Sequence, residues 1–256
     1  MSKLSTSAPA ILFGLGLFGL WEAYVRFAEI DPLLLPAPSA VLEFILVHFR
    51  LLAPHTLATA LIIILGVLLG ASGGLGIGIV LHRSEWIRRA SYPWLVASQM
   101  IPIPAIAPVL LLWMGFTIWP KLLVVALISF FPVAVNTIDG LRRVEQGALD
   151  LLRTFKASPA QQLRIVSLPA ALPSIFSGLR IAMALAVVAA IFGEWVGTRM
   201  GLGKLMLVYN NQARTDGLFA TIALLAIVGI TLFLCLGWIE RKLMPWINPR
   251  SAAKRL

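Results

Sequence analysis

The sequence predicts an all-α fold: a polytopic membrane bundle of about six transmembrane helices with a cytoplasmic loop that itself contains short helices. Hydrophobic residues make up 59% of the 256 residues and charged residues only 12%, about half the charged share of soluble domains. Glycine and proline are frequent, with 20 and 16 residues, as transmembrane helices tolerate. Apolar runs of about 20 residues, the length that crosses a bilayer as a helix, recur along the chain.

Six apolar segments predict the membrane spans. The first, Ala8–Phe27, carries Glu22 and Arg26 at its outer end. No small-residue cleavage site follows its apolar core, so we expect a retained span and not a removed signal peptide. The other predicted spans are Leu57–Leu81, Tyr92–Met114, Ile118–Ile138, Pro173–Val196 and Leu218–Ile239.

Small residues and prolines distinguish two of these spans. The second span carries a stripe at every fourth position, formed by Gly66, Gly70, Gly74 and Gly78. Such a stripe lets another helix approach closely, either from a second subunit or within the same one. The third span contains Pro93, Pro102, Pro104 and Pro108. Because prolines remove backbone donors, we expect a broken helix there, either beside a translocation pathway or as a packing kink.

The basic residues predict the orientation in the membrane. With the N-terminus inside, 15 Lys and Arg fall on the inner side and 6 on the outer side, which accounts for all 21. The positive-inside rule then places both termini and the segment Leu141–Ser177 in the cytoplasm. The net charge of +10 follows from this clustering beside membrane spans, so we expect membrane lipid and no nucleic acid as a partner.

The charged segment between the fourth and fifth spans predicts a first short amphipathic helix. Ala148, Leu151, Leu152 and Phe155 fall at i, i+3, i+4 and i+7 and form an apolar stripe. The polar residues Gln146, Asp150, Arg153 and Lys156 face elsewhere.

A second short helix follows the first. Ser158 is expected as its N-cap, Pro159 as its first residue and Gln161 as the partner in a capping box. We expect this helix to end before Pro169. Two capped amphipathic helices outside the lipid predict a docking surface for another protein; the alternative is an interfacial element that lies on lipid.

The same segment resembles the EAA loop of permease subunits of bacterial ABC importers. The stretch Asp-Leu-Leu-Arg-Thr-Phe-Lys-Ala begins at Asp150 and is followed by Val-Ser-Leu-Pro at 166–169. The family pattern is Glu-Ala-Ala, three residues, Gly, nine residues and Ile-x-Leu-Pro. Here Leu151 and Leu152 replace the alanines and Lys156 replaces the glycine. Because glycine favours the positive φ at which a chain leaves a helix, we expect Lys156 to alter the bend between the two helices.

The resemblance extends from about Pro54 to Trp246. Within the family, the chain is most similar to the branch that imports sulfonates, nitrate or pyrimidine precursors of thiamine. The matching segments are Pro36–Ser39, Ile101–Pro108, Leu172–Ile175, Gly178–Arg180, Gly193–Gly197, Gly201–Gly203 and Thr215–Asp216. The segments from Gly193 onward resemble hydroxymethylpyrimidine permeases.

This resemblance implies a division of labour in the bacterial cytoplasmic (inner) membrane. Two permease copies, expected as a homodimer, form the pathway; two ABC ATPase subunits bind beneath them, and an extracytoplasmic solute-binding protein delivers the substrate. The chain lacks a G-x-x-x-x-G-K-[ST] phosphate loop, so we expect no enzyme activity, no catalytic residue and no cofactor.

The resemblance also implies which residues couple the permease to the ATPase. They are Ala148, Asp150, Leu151, Leu152, Phe155, Lys156, Ala157, Ser158 and Pro159. The expected organisation is an N-terminal helix with an external segment (1–53), an ABC importer type-1 transmembrane domain (54–246) and a basic cytoplasmic tail (247–256).

Polar residues inside apolar spans are costly and are therefore candidates for the pathway. The candidates are Gln99, Ser129, Asn136, Glu194 and Trp195. For the polar residues the alternative is an interhelical hydrogen bond. Glu194 is expected at the external end of the fifth span, where it either meets substrate or pairs with Arg199 or Arg214. Because a carboxylate repels oxyanions, we expect a small aromatic heterocycle, stacked on Trp195, as the substrate; sulfonate, taurine or nitrate is the alternative.

Two other function classes fit the sequence less well. A secondary transporter is expected to show two similar halves or broken helices in matching positions, which this sequence lacks. A membrane-embedded enzyme needs a nucleophile motif, a His pair or a carboxylate dyad. His48, His55 and His82 lack metal-ligand spacing, and Cys235 is the single cysteine, so we expect no metal site.

Overall fold

Apolar runs and local capping signals decide where the helices of this chain begin and end. The computed structural model describes residues 3–196 and 198–247, and every regular element in those ranges is helical. The helices are α1 Lys3–Phe27, α2 Pro38–Val47, α3 Phe49–Arg83, α4 Glu85–Ser98, α5 Ile103–Met114, α6 Trp119–Arg142, α7 Gln146–Thr154, α8 Pro159–Gln162, α9 Leu168–Trp195, α10 Leu202–Asn211 and α11 Thr215–Leu243. A π-helical turn, Leu163–Ser167, joins α8 to α9, and a 3₁₀ turn, Pro245–Ile247, follows α11. The predicted all-α class is confirmed.

Within the described chain, four helical segments are long and apolar enough to cross a membrane. They are Phe49–Arg83, Trp119–Arg142, Pro159–Trp195 and Thr215–Leu243, and they correspond to the second, fourth, fifth and sixth predicted spans. The first predicted span lies in α1, which is not among these four. Apart from Ile247, the predicted basic tail lies outside the described residues. The polytopic architecture is confirmed.

The third predicted span is not one helix. α4 ends at Ser98 and α5 begins at Ile103. Because Pro102 has no N–H, the carbonyl of Ser98 cannot receive a bond from it and accepts one from the N–H of Ile101 at 3.3 Å instead. The helix break expected from the prolines of Tyr92–Met114 is therefore confirmed.

The glycine stripe of the second predicted span packs against α6. A methyl group added at Gly70 would lie 2.3 Å from the carbonyl oxygen of Ala126, and one added at Gly78 would lie 2.6 Å from the side chain of Thr137. The other two glycines of the stripe approach α6 in the same way. Of the two alternatives for this stripe, the structure shows close packing within one subunit.

The described residues divide into two compact units. One comprises Met1–Ala58 with Arg199–Ala226, and the other comprises Thr59–Thr198 with Ile227–Leu256. The first unit has a small core in which rings of α2 and α10 meet edge to face at 5.4 Å. The second unit has a larger core along α6 and α9. The candidate coupling and pathway residues all belong to the second unit. The linear domain division at 53 and 246 stays a prediction.

Candidate functional site

α7 forms the first short helix of the predicted loop. Within its apolar stripe, Leu151 is 59% exposed and Phe155, directly after the helix, is 76% exposed. Ala148 and Leu152 are half-buried. We call Leu151 and Phe155 the apolar pair. Large apolar side chains that protrude into solvent together mark contact surfaces, so the apolar pair is the part of the stripe available to a partner.

α7 ends in a Schellman motif. The backbone N–H of Ala157 donates to the carbonyl of Leu152 at 3.0 Å, and the N–H of Lys156 donates to the carbonyl of Arg153 at 2.8 Å. Lys156 has a φ of 55°, in the left-handed region that favours glycine. The expectation that lysine alters the bend is therefore corrected: Lys156 adopts the conformation that a glycine would take there.

The predicted capping box at the next helix is confirmed. The hydroxyl of Ser158 accepts a hydrogen bond from the N–H of Gln161 at 3.3 Å, and the side-chain carbonyl of Gln161 accepts one from the N–H of Ser158 at 2.7 Å. Pro159 occupies the first helical turn, where its missing N–H is not needed. The turn between α7 and α8 is therefore held from both sides.

The second short helix does not end before Pro169, and that prediction is wrong. In the π-helical turn Leu163–Ser167 the backbone hydrogen bonds span five residues and not four. The N–H of Leu168 there donates to the carbonyl of Leu163. This wider turn accommodates the following proline, which has no N–H to donate. The helix therefore continues without a gap over Pro159–Trp195, which is 37 residues.

The loop is anchored on one side and open on the other. Leu141, Ala171 and Ile175 form a buried cluster at its base. Beside the loop lies a groove of about 680 Å³, lined by His82, Arg83, Leu149, Arg153, Ser158, Pro159, Ala160, Gln162, Leu163 and Ser167. The carboxylate of Asp150 pairs with the guanidinium of Arg153 at 2.8 Å, with both side chains largely exposed.

Glu194 lies near the C-terminal end of α9 and is fully buried. One oxygen of its carboxylate accepts a hydrogen bond from the hydroxyl of Thr59 at 2.7 Å, and the ammonium of Lys121 acts on it electrostatically. Lys121 also donates to the hydroxyl of Thr198 at 2.6 Å. The buried carboxylate is thus compensated by Thr59 and Lys121 within this unit.

The arginines expected near this carboxylate belong to the other unit. There Arg214 pairs with Asp216 at 3.1 Å, and its guanidinium lies 5.0 Å from the ring centre of Phe44. Trp195, which follows Glu194, is 41% exposed and meets the ring of a neighbouring phenylalanine edge to face at 5.3 Å.

The break between α4 and α5 opens a pocket of about 280 Å³, which we call the break pocket. Gln99 and Ser98 supply its polar side chains, while α6 contributes Phe131 and Pro132. The remaining lining residues are isoleucines and leucines, and no charged side chain lines the pocket among the residues described. It offers an amide, a hydroxyl and an aromatic ring in apolar surroundings.

The other two predicted pathway residues lie at helix–helix contacts. Ser129 is fully buried where Gly70 of α3 approaches α6, and its hydroxyl has no hydrogen-bond partner within the described chain. Asn136 donates to the carbonyl of Pro132 at 2.8 Å and lies against Gly178 of α9. The predicted pathway residues therefore do not form one cluster.

Sequence reasoning missed the partners that complete these sites. Thr59 and Phe131 gave no signal, because a threonine or phenylalanine in an apolar span is unremarkable. Lys121 did give one, since it is a cation at the start of an apolar run. Only the packing of α3, α6 and α9 brings Thr59 and Lys121 to Glu194.

Comparisons with known proteins agree with this fold. The family described as binding-protein-dependent transport system inner membrane component matches residues 62–248. The probable ABC transporter permease protein of Haemophilus influenzae is 39% identical over 237 residues, covering 93% of this chain and 96% of that protein. The formylaminopyrimidine transport permease protein ThiX of Halalkalibacterium halodurans is 39% identical over 247 residues, covering 96% of this chain and 98% of that protein. The taurine transport system permease protein TauC of Escherichia coli is 30% identical over 237 residues, covering 90% of this chain and 86% of that protein.

A solved structure shows the same fold. An inward-facing conformation of the MetNI methionine ABC transporter matches with a TM-score of 0.67 and 20% sequence identity, covering 77% of this chain and 97% of that chain.

Proposed function

The chain belongs to the family of inner membrane components of binding-protein-dependent transport systems, and we propose that this ABC transporter permease imports a small, uncharged aromatic heterocycle through a pathway that includes the break pocket. The uncharged lining of that pocket is the observation that carries the proposal. The partners are a second copy of this chain, two ABC ATPase subunits and an extracytoplasmic solute-binding protein.

The ATPase docks on the apolar pair in this proposal. Support comes from the exposure of Leu151 and Phe155 and from the two helix caps that hold them in place. An amphipathic helix that inserts its apolar face into a groove is a common mode of recognition. The 15-to-6 distribution of basic residues supports a cytoplasmic location for this surface, where ATP is available to the partner.

Movement of the ATPase reaches the membrane through one continuous helix. The segment Pro159–Trp195 of 37 residues spans about 55 Å at 1.5 Å per residue. Because no flexible linker separates the docking loop from α9, a displacement of the loop moves the far end of the helix near Glu194. Closure of the ATPase pair thereby opens the pathway outward.

The substrate class follows from the chemistry of the break pocket. Moving an unpaired ionised group into an uncharged pocket costs several kcal/mol, which disfavours sulfonates, nitrate and the zwitterion taurine. Phe131 can stack on a heterocycle for about 0.5–1.5 kcal/mol, and the amide of Gln99 can both donate to and accept from ring substituents. The 39% identity to a formylaminopyrimidine permease, against 30% to a taurine permease, supports the same choice.

The test is uptake by the complex reconstituted in proteoliposomes with its ATPase subunits and its own binding protein. We expect ATP-dependent uptake of a hydroxymethylpyrimidine, reduced about tenfold or more by Gln99→Leu, which removes hydrogen bonds worth about 1.5 kcal/mol. Ser129→Ala is the control, since Ser129 does not line the pocket. Uptake of taurine or nitrate without the pyrimidine contradicts the substrate class. Uptake that needs an ion gradient and no ATP indicates a secondary transporter.

A further inference from the structure

A separate cavity lies between the first turns of α4 and the C-terminal end of α6. Its volume is about 260 Å³, and it is lined by Arg88, Arg89, Tyr92, Pro93, Ile138 and Arg142. We call it the arginine pocket. It shares no lining residue with the groove beside α7 or with the break pocket.

The arginine pocket carries excess positive charge. Glu85 pairs with both Arg88 and Arg89, and its contact with the Nε of Arg89 is 2.9 Å. Hydrogen bonds from Arg88 and Arg89 hold the pKa of Glu85 below its ordinary value, so this carboxylate is ionised at neutral pH. Arg142 forms no ion pair with any residue that the structure describes. The lining that the structure describes therefore contains three guanidinium groups and no carboxylate, and Glu85 pairs with two of the three.

Aromatic residues place the arginine pocket at the level of the membrane surface. Trp86 and Trp94 of α4 are each 78% exposed, and Tyr92 lines the pocket itself. Tryptophan and tyrosine are enriched where lipid headgroups meet water. Arg142 is the last residue of a helix long enough to span the bilayer. A headgroup is therefore the anion that this pocket meets at high local concentration.

We propose that the arginine pocket binds the phosphodiester of an anionic phospholipid headgroup, of the phosphatidylglycerol kind. Arginine presents a planar fork of donors that matches two phosphate oxygens, and basic pockets between transmembrane helices bind anionic headgroups. An acidic protein segment is disfavoured because the flanking tryptophans suit a headgroup layer. The binding itself does not depend on the proposed substrate; only the assignment to the cytoplasmic leaflet rests on the proposed orientation.

The test is native mass spectrometry of the purified transporter complex titrated with phosphatidylglycerol and, separately, with phosphatidylcholine. We expect phosphatidylglycerol to bind more tightly and Arg142→Gln to weaken it about fivefold, the factor for one arginine beside an anionic surface. Arg143→Gln is the matched control, because Arg143 is the exposed neighbour that does not line the pocket. It should change the affinity less than twofold. Arg89→Gln tests the same pocket from α4, and thermal unfolding checks that each variant is folded.

Three results would overturn the proposal. Equal losses in the Arg142 and Arg143 variants would indicate diffuse surface attraction and no pocket. Competition by inorganic phosphate at concentrations similar to the lipid would indicate a site for free phosphate. Release of the ATPase subunits by Arg142→Gln with lipid binding unchanged would assign the pocket to a protein interface.

Discussion

Replacing Leu151 by aspartate tests the coupling surface most directly. Leu151 lies on α7 with 59% of its surface exposed, so the change removes little that stabilises the permease itself. Surface substitutions of this kind usually change the free energy of unfolding by less than about 0.5 kcal/mol. In the complex with the ATPase, by contrast, the same side chain is expected to be covered. The substitution therefore separates docking from folding.

The expected loss of ATPase affinity can be worked from the exposed fraction. Burial of a whole leucine side chain contributes about 1.5–3 kcal/mol, and 59% of Leu151 remains to be covered, so the lost burial amounts to about 1–2 kcal/mol. An unpaired carboxylate in the same contact adds a desolvation cost of about 2 kcal/mol or more. Together these give about 3 kcal/mol, or on the order of a hundredfold in affinity.

The assay is co-purification and a binding titration of the ATPase subunits with the permease in detergent, alongside uptake. Leu151→Asp should release the ATPase and abolish transport while membrane insertion and thermal unfolding of the permease stay unchanged. Gln146→Asp is the matched control, because it adds the same charge to the polar face of α7, near the helix N-terminus where an acid is favourable. Retention of both ATPase binding and transport in Leu151→Asp would refute the docking role of the apolar pair.

Three further predictions concern the turn, the glycine stripe and the orientation. Lys156→Gly should raise the free energy of unfolding by about 1 kcal/mol, since it relieves the left-handed φ of 55°; chemical denaturation measures this. Gly70→Val should lower stability by several kcal/mol and reduce the yield of folded permease, because even a methyl group would lie 2.3 Å from the carbonyl oxygen of Ala126. A single cysteine at Gln146 in a Cys235→Ser background should resist an impermeant thiol reagent in intact cells and react after lysis.

Each of these predictions has a clear contrary outcome. A destabilised Lys156→Gly variant would mean that the lysine side chain contributes more than its backbone conformation costs. A Gly70→Val variant of unchanged stability would contradict the close approach of α3 to α6. Labelling at position 146 from outside intact cells would mean that this loop lies outside the cell, opposite to the predicted orientation.

Local features of this protein were open to prediction from sequence because their causes are local. The membrane class follows from the length and polarity of apolar runs, and the capping box at Ser158 follows from residues three positions apart. The break before α5 follows from the missing N–H of Pro102. In contrast, the helix end expected before Pro169 was wrong. A π-helical turn accommodates the proline, and the helix continues through it.

The tertiary structure alone decided which distant residues meet. The hydroxyl of Thr59 reaches the carboxylate of Glu194 across 135 positions of sequence, and no periodicity within either helix predicts that pairing. The same packing turned the glycine stripe towards α6, when the sequence allowed it equally to face a second subunit. Membrane helices share one apolar composition, so composition places each helix in lipid but does not select its neighbours. Shape and polar pairing between helices make that selection, and both exist only once the helices are packed.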